Sequence, residues 1–235
     1  MVAGKGAPDR VVGAVLPLER PLGAASAVSE ADDLVSRAAG GDRAAFRGIY
    51  QRHRADVARL VYRMLGGSSD VDDVVQEVFF QVHRSLKDFR GQSKFTTWLH
   101  RVTVNVVLMH RRAARSRPAF SEEAPPDVTP DDELLAPDED ADRRARIRAF
   151  AGLLDKLADK KRVVFVLHDL EGVSPQEISK IVDAPVLTVR TRLFYARREL
   201  EALITEEPAL AGLRATFARD KEDKKEKAEK GEGDE

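Results

Sequence analysis

The sequence predicts an all-α fold made of two small helical domains. The first, of three or four helices, covers residues 29–117, and the second, built around a helix-turn-helix, covers 143–204. A flexible acidic linker over 118–142 joins them. Three observations carry this reading. Apolar residues recur at steps of three and four through both blocks, the signature of helices packed on one side. Glycine pairs and capping residues punctuate those runs. Between the blocks lies a stretch rich in Pro and acid that cannot bury enough surface to order itself.

In the first block, Ser29 with Asp32 is expected to cap a short helix through Leu34, Val35 and Ala38, ended by Gly40-Gly41. A long helix follows from Asp42, with Phe46, Ile49, Tyr50, His53, Val57, Leu60, Val61 and Met64 on one stripe and a stop at Gly66-Gly67. Ser69-Asp70 reads as the capped start of a third helix, whose apolar side is Val71, Val74, Val75, Val78, Val82 and Leu86. Its other side shows Asp72, Asp73, Gln76, Glu77 and Phe80. The fourth helix starts at Thr96 or Thr97, with Trp98, Leu99, Val102, Val106 and Met109 as its apolar face and Arg101, Thr103, Asn105, His110 and Arg111 as its polar face, and it ends in a cluster of arginines that includes Arg112.

The overall charge conceals a partition. The formal net is -1, yet residues 40–117 hold 15 Lys/Arg against 7 Asp/Glu, residues 118–142 hold 10 Asp/Glu and no Lys/Arg, and residues 143–204 hold 13 against 8. Two basic domains on an acidic tether are expected to meet phosphate through a basic face. The tether's acid is expected to keep it extended. Residues 1–28 and 205–235 read as disordered tails, the second dominated by alternating Lys and Glu. The chain has no cysteine, no apolar run of membrane-spanning length and no apolar N-terminal leader, so a cytoplasmic location is expected.

The second domain carries the most specific local signal. Ser174-Pro175-Gln176-Glu177 combines a capping box with proline at the first helical position, and the helix should run to about Val182. After a break at Asp183-Ala184-Pro185, Val186, Val189, Leu193, Ala196, Leu200 and Leu203 form one stripe, leaving Thr188, Arg190, Thr191, Arg192, Arg197 and Arg198 on the other side. Helix, short turn and a second helix with a basic face is the geometry that lays a recognition helix in the major groove.

Two further surfaces call for a partner. An acidic face with an aromatic, inside a basic domain, suits either a protein partner or plain solvation. The loop Phe89, Arg90, Gly91, Gln92, Ser93, Lys94 with Phe95 sets aromatics beside cations, as unstacked single-stranded bases require, although Phe95 and Trp98 taken singly suit a core better than a base platform. Catalysis finds no support. The five histidines (His53, His83, His100, His110, His168) show no helical ligand pairing, no Gly-rich phosphate loop is present, and no cofactor or metal is expected.

The segments VDDVVQEVF, FRGQSKFTTWLHRV, LEGVSPQEI and the helix-turn-helix, in that order around an acidic tether, resemble the extracytoplasmic-function sigma factors of bacterial RNA polymerase. The resemblance covers about residues 30–117 and 145–204. It implies that the first domain binds core enzyme at the clamp of the largest subunit and melts the minus-ten promoter element, while the second reads the minus-thirty-five element. Asp73, Gln76 and Glu77, with Asp72 and Phe80 on the same face, then match the clamp-binding helix. The loop Phe89–Lys94 matches the segment that captures a flipped base, and Arg101, Thr103, Asn105, Arg111 and Arg112 belong to the helix facing the minus-ten duplex. Thr188, Arg190, Thr191 and Arg192, with Leu187 and Arg197, belong to the minus-thirty-five helix. An anti-sigma protein is the implied regulator.

The chain departs from the family at Asp183 for the turn glycine, Leu187 for a glycine opening the recognition helix, Val104 for an arginine and Ala158 for a proline. Asp enters the left-handed region more readily than most residues, so Asp183 is compatible with the turn. The alternative is a helix-turn-helix regulator that acts without core polymerase; it leaves the acidic face and the aromatic loop unused.

Overall fold

In the computed structural model, residues 28–67, 70–116 and 140–210 are described, and every regular element among them is helical. The N-terminal tail, nearly all of the acidic linker and the charged tail beyond 210 lie outside the described residues.

The first domain holds α1 (Val28–Ala39), α2 (Arg43–Leu65), α3 (Val71–Ser85), a 3-10 turn (Leu86–Asp88) and α4 (Phe95–Ser116). Helix α1 begins at Val28, one residue before the expected cap. Asp42 caps α2 by accepting from the backbone N–H of Ala44 and Ala45, and its carboxylate also receives the Arg37 guanidinium at 2.7 Å. Of the expected cap Ser69-Asp70, Ser69 lies outside the described residues, and Asp70 makes no side-chain cap but meets His110 Nε2 of α4 at 3.0 Å. Val57, Leu60, Val61, Met64, Val78, Val82, Leu99 and Val107 form the centre of this bundle.

The second domain holds α5 (Asp140–Lys156), α6 (Asp159–Phe165) continued by a π-helical turn (Val166–Leu170), α7 (Pro175–Val182) and α8 (Val186–Glu206). The capping box at α7 is complete: Ser174 Oγ accepts from the Glu177 N–H at 3.2 Å while the Glu177 carboxylate reaches back to Ser174. Asp183 closes the turn at φ 48°, the left-handed conformation. The domain extends further than the sequence suggests. Leu210, in a 3-10 turn (Pro208–Leu210) within the segment expected as a tail, is fully buried, and that turn packs on α5.

The two domains pack against each other, with α2 on α5 and α4 on α7, so that their buried side chains form one continuous cluster. Gly66 makes the first approach possible. It ends α2 at φ 72°, and a Cβ there would lie 2.8 Å from Asp155 Cβ and 3.1 Å from Ala151 O of α5. Polar groups complete the junction. Arg162, 1% exposed, donates to Met64 O at 2.9 Å, and Arg63 donates to Leu170 O at 2.9 Å. The first satisfies one of the carbonyls that every helix C-terminus leaves open.

Candidate polymerase and nucleic-acid interfaces

Helix α3 buries Val74, Val75, Val78, Phe79 and Val82, and this fixes Asp72, Asp73, Gln76, Glu77 and Phe80 on its solvent side. Phe80 is 55% exposed and stacks beneath the Arg84 guanidinium, 5.6 Å from the ring centre. Arg54 of α2 meets Asp72 at 3.6 Å, an exposed pair of small energetic weight. Three carboxylates around an exposed aromatic give a surface suited to a cationic protein face with an apolar centre.

The loop after the 3-10 turn is anchored at its ends and free in its middle. Phe89, Phe95 and Trp98 form a triangle of ring contacts at 5.3–5.9 Å, and His53 of α2 abuts Phe95 at 5.4 Å. Phe95 is therefore core, and Phe89 is half-buried in the same cluster. Arg90, Gly91, Gln92 and Lys94 project into solvent, with Gly91 at φ 67° and open space around it, and Ser93 is partly covered. Rigid aromatic ends with a protruding polar middle are what a loop needs to receive an extruded base without reorganising.

On α4 the exposed side carries Arg101, Asn105 and Arg112 as expected. Two assignments on this helix are corrected. Thr103 is fully buried, its Oγ donating to Leu99 O at 2.9 Å, so it faces the protein and not solvent. Met109, placed by its spacing on the apolar face, is 67% exposed among the polar residues. Both follow from one cause: α4 is covered on two adjacent sides, by its own domain and by α7, which shifts its solvent arc.

Arg111 is the third difference. Its guanidinium lies between Asp155 at 2.7 Å and Asp159 at 2.9 Å, in the second domain, and Arg115 joins Asp159 at 2.8 Å. Lys94 of the loop approaches Glu177 at 3.7 Å. Burial raises the carboxyls of Asp155 and Asp159, but the arginines around them overcome it and hold both below the usual range. Arg115 and Arg162 were missed by sequence reasoning; only the arginine cluster at the end of α4 hinted at the first.

In the second domain, Val189, Leu193, Ala196, Leu200 and Ile204 face inward, and Leu187, Arg190 and Thr191 are exposed on the opposite side of α8, with Thr188 and Arg192 partly covered at its edges. Arg197 does not belong to that face. Its guanidinium makes a bidentate pair with Asp169, 5% exposed, and this side-chain hydrogen bond raises the arginine further above its ordinary value. Arg197 thus ties α8 to the π-helical turn.

A bundle with an acidic face, joined to a helix-turn-helix with exposed arginines, defines a two-domain DNA-binding transcription protein. Residues 49–117 match Sigma-70 region 2, and residues 147–200 match Sigma-70, region 4. The chain is 35% identical over 180 residues to the ECF RNA polymerase sigma-E factor of Escherichia coli strain K12, spanning 72% of this chain and 91% of that one. It is 33% identical over 181 residues to the ECF RNA polymerase sigma-E factor of Haemophilus influenzae, spanning 72% and 92%. The chain belongs to the ECF RNA polymerase sigma factors. Among solved structures it is similar to CnrH in complex with the cytosolic domain of CnrY, at TM-score 0.55 and 29% identity over 75% of this chain and 99% of that one. The fold is also that of sigma factor RpoE from Bartonella quintana, in complex with the anti-sigma factor NepR, at TM-score 0.54 and 18% identity over 68% and 96%.

Proposed function

We propose that the chain binds RNA polymerase core enzyme and directs promoter-specific initiation of transcription, without catalysis of its own. Helix α3 meets the clamp of the largest subunit through Asp72, Asp73, Gln76, Glu77 and Phe80. The loop Phe89–Lys94 takes a base of the minus-ten element, with Arg101, Asn105 and Arg112 on the adjoining duplex. Thr188, Arg190, Thr191 and Arg192 of α8 enter the major groove of the minus-thirty-five element. The observation that carries this reading is the placement of exposed charge on three helices: Asp72, Asp73 and Glu77 share the solvent side of α3, whereas Arg101 and Arg112 are exposed on α4 and Arg190 and Arg198 on α8. A protein partner and a nucleic acid therefore have distinct places to bind.

An anti-sigma protein is the expected regulator, in keeping with the relative bound to NepR. No helix among the described residues is long and apolar enough to cross a membrane. Work with polymerase places the chain in the cytoplasm. Promoter-dependent runoff transcription with added core enzyme tests the proposal. Transcripts starting at defined promoters only when this chain is present are the expected result, and a chain that binds duplex DNA yet never cofractionates with core enzyme would instead be a helix-turn-helix regulator.

A further inference from the structure

The solvent side of the recognition helix is apolar at its centre. Leu187, Phe194 and Tyr195 are 74%, 60% and 51% exposed, and the two rings meet edge-on at 5.4 Å. None of them packs in the core, which α8 reaches through its opposite side. Thr191, one turn beyond Leu187, carries the hydroxyl of a hydrogen-bonding reader, but its Oγ donates to Leu187 O at 2.9 Å. The hydroxyl proton is thus used inside the helix. Leu187, Thr191, Phe194 and Tyr195 lie on one side of the helix, bordered by the exposed Arg190 and Arg198.

A strip of this kind needs an occupant that is anionic at its margins and apolar at one point. Duplex DNA meets both demands. Its phosphates lie on either side of the major groove, and the C5-methyl of thymine is the apolar group displayed within it. Leu187 stands in the first turn of α8, and the N-terminal residues of a recognition helix are those that reach base edges.

We infer that Leu187 is a specificity-determining residue that packs against the C5-methyl of a thymine in the duplex read by α8, with Thr191 and Phe194 extending the apolar contact. The inference rests on the minus-thirty-five role proposed above for this helix. It assigns hydrogen-bonded base reading to Thr188 and Arg190 in place of Thr191. Burying one methyl group is worth about fourfold in affinity.

The test uses holoenzyme assembled from core polymerase and the full chain, with promoter duplexes in which each upstream-element thymine is replaced singly by deoxyuridine, which removes only the methyl. One position at which deoxyuridine weakens binding about fourfold, with the difference abolished in Leu187→Ala, is the expected result. Leu187 is exposed and alanine favours helix, so circular dichroism of this variant should match the parent. A response to deoxyuridine that is unchanged in Leu187→Ala, or no thymine that responds at all, would overturn the inference and leave the strip to a protein partner. Arg190→Ala separates the two levels of the argument. If it changes salt dependence or base preference while no thymine methyl matters, α8 reads DNA and only the role of Leu187 is lost. If it changes neither, the placement of α8 on DNA falls as well.

Discussion

Arg63 Nη1 donates to Glu171 Oε1 at 2.6 Å, and the two side chains come from different domains, α2 on one side and the end of the π-helical turn on the other. They are 6% and 3% exposed. Burial drives both toward their neutral forms, lowering the arginine and raising the glutamate, and each opposes that tendency in the other. Such a pair adds little net stability compared with an apolar pair of equal volume, but breaking it from one side strands a charge.

Glu171→Gln is therefore expected to cost about 3 kcal/mol of stability, whereas the double change Arg63→Met with Glu171→Leu should recover most of it. Urea unfolding of the parent and the two variants checks this. A single variant as stable as the parent would show that the pair is solvated in solution.

His100 is expected to make the fold sensitive to acid. It is 4% exposed, and burial pushes its pKa down to about 4, with His53 acting in the same direction while Glu177 of α7 and Asp56 of α2 oppose. The unfolded value is about 6.5. Because the native value lies lower, the neutral ring's stability is complete above about pH 6.5 and declines as pH falls toward 4, by roughly 3 kcal/mol in all. Urea midpoints between pH 7.5 and 4.5 should fall less steeply in His100→Leu than in the parent; parallel profiles would exclude the histidine as the cause.

The exposed acid of α3 is expected to face basic groups on core enzyme. Reversing Asp73 and Glu77 to Lys should abolish core binding, because like charges across an interface cost several kcal/mol. Both side chains are exposed, so the helix itself should survive. Pull-down with core polymerase, beside a duplex-binding control for α8, gives the answer, and undiminished capture would remove α3 from the interface.

Exchange of Arg90–Lys94 for the corresponding loop of a related sigma factor should transfer preference at one minus-ten position. The aromatic ends at Phe89, Phe95 and Trp98 are untouched, so the loop should stay anchored. Competition among single-base promoter variants reads the outcome. A chimera that keeps its original preference shows that the loop joins two helices and nothing more.

Helix positions were legible because the stripes on α2, α3, α7 and α8 are simple, and the turn chemistry at Gly66, Ser174 and Asp183 is local. Fold class followed from these. The docking of the domains was not legible, since no periodicity tells an exposed arginine from one reserved for a carboxylate far along the chain. Arg111 and Arg197 look alike in sequence, yet one crosses to Asp155 and Asp159 and the other stays with Asp169. Thr103 and Met109 were misplaced for the related reason that a helix covered on two sides has no single apolar axis. On α8, the exposure of Leu187, Phe194 and Tyr195 follows from the stripe, but the use of the Thr191 hydroxyl within the helix needed coordinates.

The capture of Arg111 and Arg115 by Asp155 and Asp159 alters the ion balance of any encounter with DNA. Ordinarily an arginine arriving at a phosphate sends a condensed cation into solution, and that gain makes binding steeply dependent on salt. Here a phosphate reaching the same guanidinium groups must evict two carboxylates, which then attract cations of their own. The process becomes an exchange of anions around fixed arginines. It will show a shallower salt slope than the number of phosphates touched would suggest.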